Sequence, residues 1–300
     1  LPAMIRLFQP GFITRPPGGR PWSMSWRSAL VIVFALLLAW LLAMPGAAAM
    51  EATPEQPTLS AMEVVQRVNG LDDGEQVTRN LSMRMIDRRG KERQRDTVVY
   101  RKYYGEEMRT VVFYRAPANI RNTAFLTWDY PEAERDDDQW LYLPALRKVR
   151  RISSADRGDY FMGTDFTYED IKLDGKLSES DYDFTLDAAP AADGETYRLI
   201  ARTRNEEVAR ELGHSRLEIA VDPATWMVVE GEFYDLKEQP LKTMRVTDRA
   251  EIQGIWTRLG IEVENHQSGH RTLFSFSDVD YLTPVDDGLF TRRAMERGAP

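Results

Sequence analysis

The sequence predicts a mainly β fold with few helices, in one large domain of the sandwich, closed-barrel or open half-barrel kind. Three observations carry this reading. Beyond residue 75, apolar and polar residues alternate, as at Leu81, Met83 and Met85 against Ser82 and Arg84, the period of a strand with one buried face. Turn signals recur between such runs: Asp87-Arg-Arg-Gly90, Gly105-Glu106, Asp222-Pro-Ala-Thr225 and Gln267-Ser-Gly269. No cysteine occurs in the 300 residues, so neither a disulfide framework nor a thiolate metal site supports the fold, and a chain of this length can rest on an apolar core.

In chain order, residues 1–23 are rich in Pro, Gly and Arg without periodicity and are expected to be a non-native or disordered extension. Residues 24–49 carry Arg27, an apolar run over 29–44, the breaker Pro45-Gly46 and Ala47-Ala-Ala49. That is the plan of a secretory signal peptide cut after Ala49, the alternative being an uncleaved inner-membrane anchor. Residues 50–57 read as a linker and 58–300 as the domain. Thr58 or Ser60 is suited to cap a helix through Val68, with Met62 and Val65 on its apolar face. Strands are expected from Glu75 through Met85, then over 93–104, 108–115, 122–130 and 140–143, with Ala116-Pro117 breaking the third. A short strand with one wet face follows around 147–152. Further strands fall over 182–186, 196–204, 216–221, 227–234, 241–252, 254–265 and 270–276, and Asp286-Asp-Gly288 opens a short helix over 289–296. Counted conservatively, this is a meander of about 11 strands.

Charge narrows the function classes. The chain has 39 basic and 47 acidic residues, a net charge of −8. Cutting after Ala49 would remove Arg6, Arg15, Arg20 and Arg27 and no acid, leaving the remainder more acidic still. A negative field argues against binding nucleic acid and suits a protein that stays off anionic membranes.

The stretch 136–173 stands apart. Trp140-Leu-Tyr-Leu143 runs into Pro144, and the basic cluster Arg147, Lys148, Arg150 and Arg151 follows. Phe161-Met-Gly-Thr164 then leads into Asp165-Phe-Thr-Tyr-Glu-Asp-Ile171, where Gly163 permits a tight turn and Thr164 or Asp165 can cap a short helix. WLYLPALRKVRRI followed by FMGTDFTYEDI resembles the LolA-like periplasmic outer-membrane lipoprotein-sorting proteins, and a looser likeness extends from about Leu59 to the C-terminus. The resemblance implies a strongly curved antiparallel sheet, an incomplete (half) β-barrel whose concave face is covered by helices over an apolar cavity. It implies a periplasmic carrier or chaperone that shuttles lipid or the acyl chains of lipoproteins toward the outer membrane. Its expected partners are an inner-membrane exporter of the resistance-nodulation-division (RND) class and an outer-membrane acceptor. A related half-barrel serves in envelope-stress sensing, so a regulatory lipid-binding module without transport is the alternative.

The residues themselves offer no enzyme pattern. His266 and His270 lie four apart but flank a hairpin turn, so they cannot share a helix face as metal ligands; both are expected to be surface turn residues. His214 has no nucleophile elbow or oxyanion loop near it, and no Walker A or dinucleotide fingerprint occurs. Asp136-Asp-Asp138 lacks the spacing of a calcium loop and reads as solvated. Asp165, Glu169 and Asp170 have the composition of a carboxylate pair, but helix capping and ion pairs to the Arg147–Arg151 cluster account for them better. No catalytic group, metal or cofactor is therefore expected.

What remains is an apolar surplus of twelve Met, twelve Phe, twelve Tyr and seven Trp. Methionine adapts to varied apolar shapes. Met83, Met85, Met108, Phe125, Trp128, Trp140, Tyr142, Phe161 and Met162 are the expected wall of a lipid-binding cavity, a filled core being the competing account. Arg147, Lys148, Arg150 and Arg151 are expected to hold a headgroup or dock a partner, or else to form a solvated strand face. A sixteen-carbon chain needs shelter worth about 10 kcal/mol to cross water, at ~0.8 kcal/mol per methylene.

Overall fold

A computed structural model of the protein describes residues 59–132, 135–190 and 195–299. The expected extension, signal segment and linker, and Thr58 as a cap, lie outside the described residues. The strands are β1 (Gln76–Ile86), β2 (Glu92–Tyr104), β3 (Glu107–Ala116), β4 (Ala124–Asp129), β5 (Asp138–Leu143), β6 (Lys148–Ile152), β7 (Tyr182–Ala188), β8 (Tyr197–Thr203), β9 (Arg216–Val221), β10 (Val228–Tyr234), β11 (Pro240–Ile252), β12 (Ile255–Asn265) and β13 (His270–Asp280). All thirteen belong to one antiparallel sheet in the order β6-β5-β4-β3-β2-β1-β13-β12-β11-β10-β9-β8-β7. The total is two above the expected eleven, and the two edge strands are the least buried: β6 is five residues and largely charged outward, and β7 is buried mainly at Tyr182.

The sheet is curved and does not close into a barrel. Every neighbouring pair is a sequential hairpin except β1 with β13, which pair from Thr78 opposite Asp280 to Ile86 opposite Arg271. The open side falls between β6 and β7. The chain crosses from one edge to the other through residues 153–181, carried over the concave face.

Four α-helices accompany the sheet among the described residues: α1 (Ala61–Asn69), α2 (Tyr168–Leu173), α3 (Glu206–Leu212) and α4 (Arg292–Arg297). Ser60 starts α1 through a reciprocal capping box with Glu63. Val64, Val65 and Val68 share its buried stripe and pack with Leu199, Ile219 and Phe233 of the sheet. The expected helix over 289–296 is divided into a 3-10 turn, Asp287–Leu289, and α4, because Thr291 caps afresh by accepting the Ala294 N–H at 3.1 Å. Helix α3 was not expected.

Both faces of the β2–β5 half are covered. Val99, Val112, Phe125 and Leu141 stand in register across four strands on the concave face, under the crossing segment. Val98, Phe113, Ala124 and Tyr142 occupy the alternate positions and pack against Phe290 and Met295 at the C-terminal end.

Candidate functional site: the cavity beneath the crossing segment

The crossing segment holds its shape by local rules. Tyr160 and Thr167 form an isolated bridge, and the loop between them turns at Met162 and Gly163, both with positive φ. Thr167 then caps α2 by accepting the Asp170 N–H, while the Asp170 carboxylate accepts the Thr167 N–H at 2.8 Å. Beyond α2, Asp174 and Gly175 both take positive φ, which redirects the chain toward β7.

This geometry presents aromatic side chains downward. Phe166 stacks on Phe274 of β13 with ring centroids 3.9 Å apart. Phe161 meets Phe125 of β4 edge to face at 5.2 Å and Tyr168 at 5.5 Å. Between segment and sheet lies a cavity of about 100 Å³, counted as the room open to the centre of a water molecule. Leu81, Met83, Ile219, Phe233, Ile261 and Phe274 are among its sheet walls, and Phe161, Phe166 and Ile171 form its roof. That space takes several waters or a short run of methylenes; a long acyl chain requires the roof to move.

The roof is tied down by buried ions. Asp165 is bonded through Oδ2 to His270 Nδ1 and to the Thr272 hydroxyl, each at 2.6 Å. Asp170 pairs at 2.7 Å with Lys242 of β11, whose ammonium also donates to the Asp165 carbonyl at 3.1 Å. Burial alone would raise the Asp170 carboxyl; Lys242 and the Thr167 N–H bring it below its ordinary value. Glu169 faces Lys172 at 2.9 Å, and Arg157 grips Asp181 with two bonds of 2.8 and 2.9 Å. Arg95 donates to the Met162 carbonyl. The sequence expectation that these acids pair with the Arg147–Arg151 cluster is corrected: their partners come from α2 itself and from β11 and β13. The basic cluster lies on edge strand β6 and the turn before it, where Arg150 reaches Asp156 at 3.7 Å and Arg151 reaches Asp138 at 2.7 Å.

Two further buried groups belong to this region: His214 lines the cavity, and Lys172 lines a separate pocket on the other side of α2. His214, expected only to lack catalytic company, is bonded to the Tyr182 hydroxyl at 2.7 Å, and burial, with Lys242 nearby, brings its pKa down to about 4. Lys172 sits among Asp129, Asp137 and Glu169. Burial raises Asp129 to about 7 against the pull of the Lys172 ammonium. His266 is exposed and bonded to Thr243, whereas His270 is half-buried on Asp165 rather than free at the surface.

The expected cavity residues divide. Met83 and Phe161 line the cavity. Phe125 and Met162 pack in the same cluster around it. Met85 and Met108 are fully buried but are not part of its lining. Trp128, Trp140 and Tyr142 belong to the opposite face, in the cluster with Phe290 and Met295. Sequence reasoning missed Lys242, Arg79 and Arg258. Arg79 carried a signal, because it shares the inward parity of Val77, Leu81 and Met83 in β1.

Residues 106–297 match a family model described as that of an uncharacterized protein. Among solved structures, a DUF1329 family protein from Desulfovibrio piger is similar, with 27% identity, a TM-score of 0.71, and 78% of this chain and 97% of that one covered. A Vibrio parahaemolyticus domain that carries the provisional name outer membrane lipoprotein-sorting protein is 25% identical with a TM-score of 0.70, over 79% of this chain and 98% of that one. A LolA superfamily protein from Nitrosomonas europaea shares the fold at 20% identity and a TM-score of 0.60, over 79% and 99%. No curated protein matches.

Proposed function

The chain belongs to the DUF1329 family, and on that premise we propose that it is a periplasmic carrier that shelters the acyl chains of a lipid or lipoprotein on their way to the outer membrane. The observation that carries this reading is the roofed cavity. Its walls are apolar side chains of a curved sheet, and its roof contributes no strand to that sheet. Instead the roof is fixed by side-chain ion pairs and aromatic contacts, which can be broken and remade without unfolding the strands beneath. The state described is the closed one, with room for only a few carbons.

In this reading a hydrocarbon tail replaces Phe161, Phe166 and Ile171 against the sheet. Each buried phenylalanine contributes about 1.5–3 kcal/mol of apolar shelter, so exchange for a tail of similar area is near balance. Loading and release are then handovers between competing apolar surfaces. No reacting group is needed, and the histidines and carboxylates serve as fastenings. An inner-membrane exporter and an outer-membrane acceptor are the partners this role calls for.

The test is to purify the protein from its native envelope without detergent, extract it with organic solvent and analyse the lipid by mass spectrometry. Near-stoichiometric lipid is expected, with displacement of a fluorescent fatty-acyl probe by the same lipid. Extracts free of lipid, together with no uptake of the probe by the stripped protein, would refute the carrier role.

A further inference from the structure

One end of the apolar cavity is not apolar. Arg79, Asp174, Lys176 and Arg258 belong both to its wall and to the wall of an adjoining chamber that also includes Asp73 and Arg101. The charged residues of that chamber are four cations and two carboxylates: Arg79, Arg101, Lys176 and Arg258 against Asp73 and Asp174. This is a local positive excess in a chain whose net charge is −8.

The pairing within the chamber leaves that excess unmet. Asp174 is shared by Arg79, at 2.6 Å, and Arg258, at 3.1 Å. Arg101 and Lys176 share Asp73, with the Tyr103 hydroxyl accepting from Lys176 at 2.6 Å and donating to Asp73 at 2.9 Å. Arg101 is 2% exposed and Arg79 9%. The Nε of each is buried and has no hydrogen-bond partner. Burial and the neighbouring Arg79 pull Arg258 below the ordinary arginine pKa despite Asp174, whereas at Arg101 burial is outweighed by Asp73 and Asp174, which hold it above that value, so the shortfall falls at the Arg79–Arg258 end. Lys176 is partly exposed, so the three buried arginines face two carboxylates, and a buried cation in excess is costly unless an anion joins it.

Gly175 has φ +93°, and a Cβ there would fall 2.1 Å from the Arg258 guanidinium, so the glycine is what lets that arginine lie against the turn and stay in the chamber wall. Trp226 and Trp256 contribute indole to the walls, and Trp256 is 39% exposed. An apolar slot, a cationic chamber at its end and indoles beside it match an amphiphile with one negative head.

We propose that this chamber holds the anionic headgroup, a phosphate or carboxylate, of the amphiphile whose tail enters the apolar cavity. The inference rests on the carrier reading and narrows its cargo to acidic lipids, because an uncharged head would leave the arginines uncompensated.

The experiment titrates the lipid-stripped full chain with three probes in a calorimeter: a monoacylglycerol phosphate, the monoacylglycerol of the same chain length, and inorganic phosphate alone. The phosphate-headed lipid is expected to bind at least about tenfold more tightly than its neutral counterpart. That preference should collapse in Arg258→Gln. Lys176→Gln, at a partly exposed position, supplies the same readout should the arginine variant misfold. Equal affinity for the two lipids would overturn the headgroup assignment and leave the carrier reading standing. Binding of neither lipid would remove both. Tight binding of inorganic phosphate that fails to compete with the acidic lipid would assign the chamber to the free ion and overturn the lipid version.

Discussion

Replacing Lys242 by Met tests whether the roof is held by its ions. The Lys242 side chain is 2% exposed, with its ammonium 2.7 Å from Asp170 and 4.6 Å from the centre of the Phe233 ring. Methionine matches its length and suits the apolar surroundings, so packing is conserved and the charge is what changes. Asp170 keeps the Thr167 N–H bond but loses its counter-ion, and the Asp165 carbonyl loses a donor. Breaking a buried pair in this way costs about 3–5 kcal/mol. Protonation of Asp170 limits that cost, so the loss should be smaller at acid pH and grow as pH rises. Adding Asp170→Asn removes the stranded charge while retaining an oxygen that can cap α2. The double variant should therefore recover most of the loss, giving a coupling of at least ~2 kcal/mol in a double-mutant cycle by urea unfolding. With the tie gone and the fold restored, the double variant should also load a fluorescent acyl probe faster than the parent. A Lys242→Met loss below ~1 kcal/mol, or no rescue by Asp170→Asn, would refute the reasoning.

Three other outcomes are expected. The pH response should contain two opposing parts. Asp129, raised to about 7, keeps a proton that the unfolded chain releases near its ordinary value of 3.8, so its contribution to stability is lost progressively as pH rises from about 3.8 to about 7. His214, lowered to about 4 from 6.5, makes the fold weaken as pH falls through that window. Asp129→Asn should uncover the histidine slope, up to ~1.4 kcal/mol per pH unit between about pH 4.5 and 6.5 in guanidinium unfolding; an unchanged profile would contradict the assignment. Gly175→Ala meets both a positive φ and the Arg258 guanidinium, so a loss of more than ~1 kcal/mol is expected in thermal unfolding, and a neutral result would mean that the turn relaxes freely. Ser60→Ala removes the α1 capping box and should cost about 1 kcal/mol, with faster amide exchange confined to the start of that helix.

The strand succession was legible because most strands alternate and end at Gly, Asp or Pro turns. The choice of face was legible only where one face is wet. In β4 and β5 four successive residues of the six are buried, since the crossing segment covers one side and the C-terminal residues the other. Alternation then carries no direction, and Trp128, Trp140 and Tyr142 could not be told apart from the cavity side. Helix α3 had its signals, with Asn205 as cap and Gly213 as the left-handed terminator, yet its seven residues sit between strands and show too short an apolar period to stand out. The family-like motif marked the segment that crosses over the cavity, but while Glu169 pairs locally with Lys172, the partners of Asp165 and Asp170 lie far along the chain. Lys242 and Arg258 meet α2 and Asp174 only because β11 and β12 curve beneath them. Such meetings are created by the sheet and leave no local spacing to read.

The pairing of β1 with β13 has a consequence for biogenesis. The first and last strands of the meander form the seam in the middle of the sheet, so each of its two wings is local in sequence while their junction spans nearly two hundred residues. Joining them is the step of greatest loop entropy and should come late. A chain delivered N-terminus first would present two half-shells, each with one greasy side uncovered, until the final hairpin arrives. Holdase protection during that interval, and heightened aggregation of molecules truncated before residue 270, follow from the same seam.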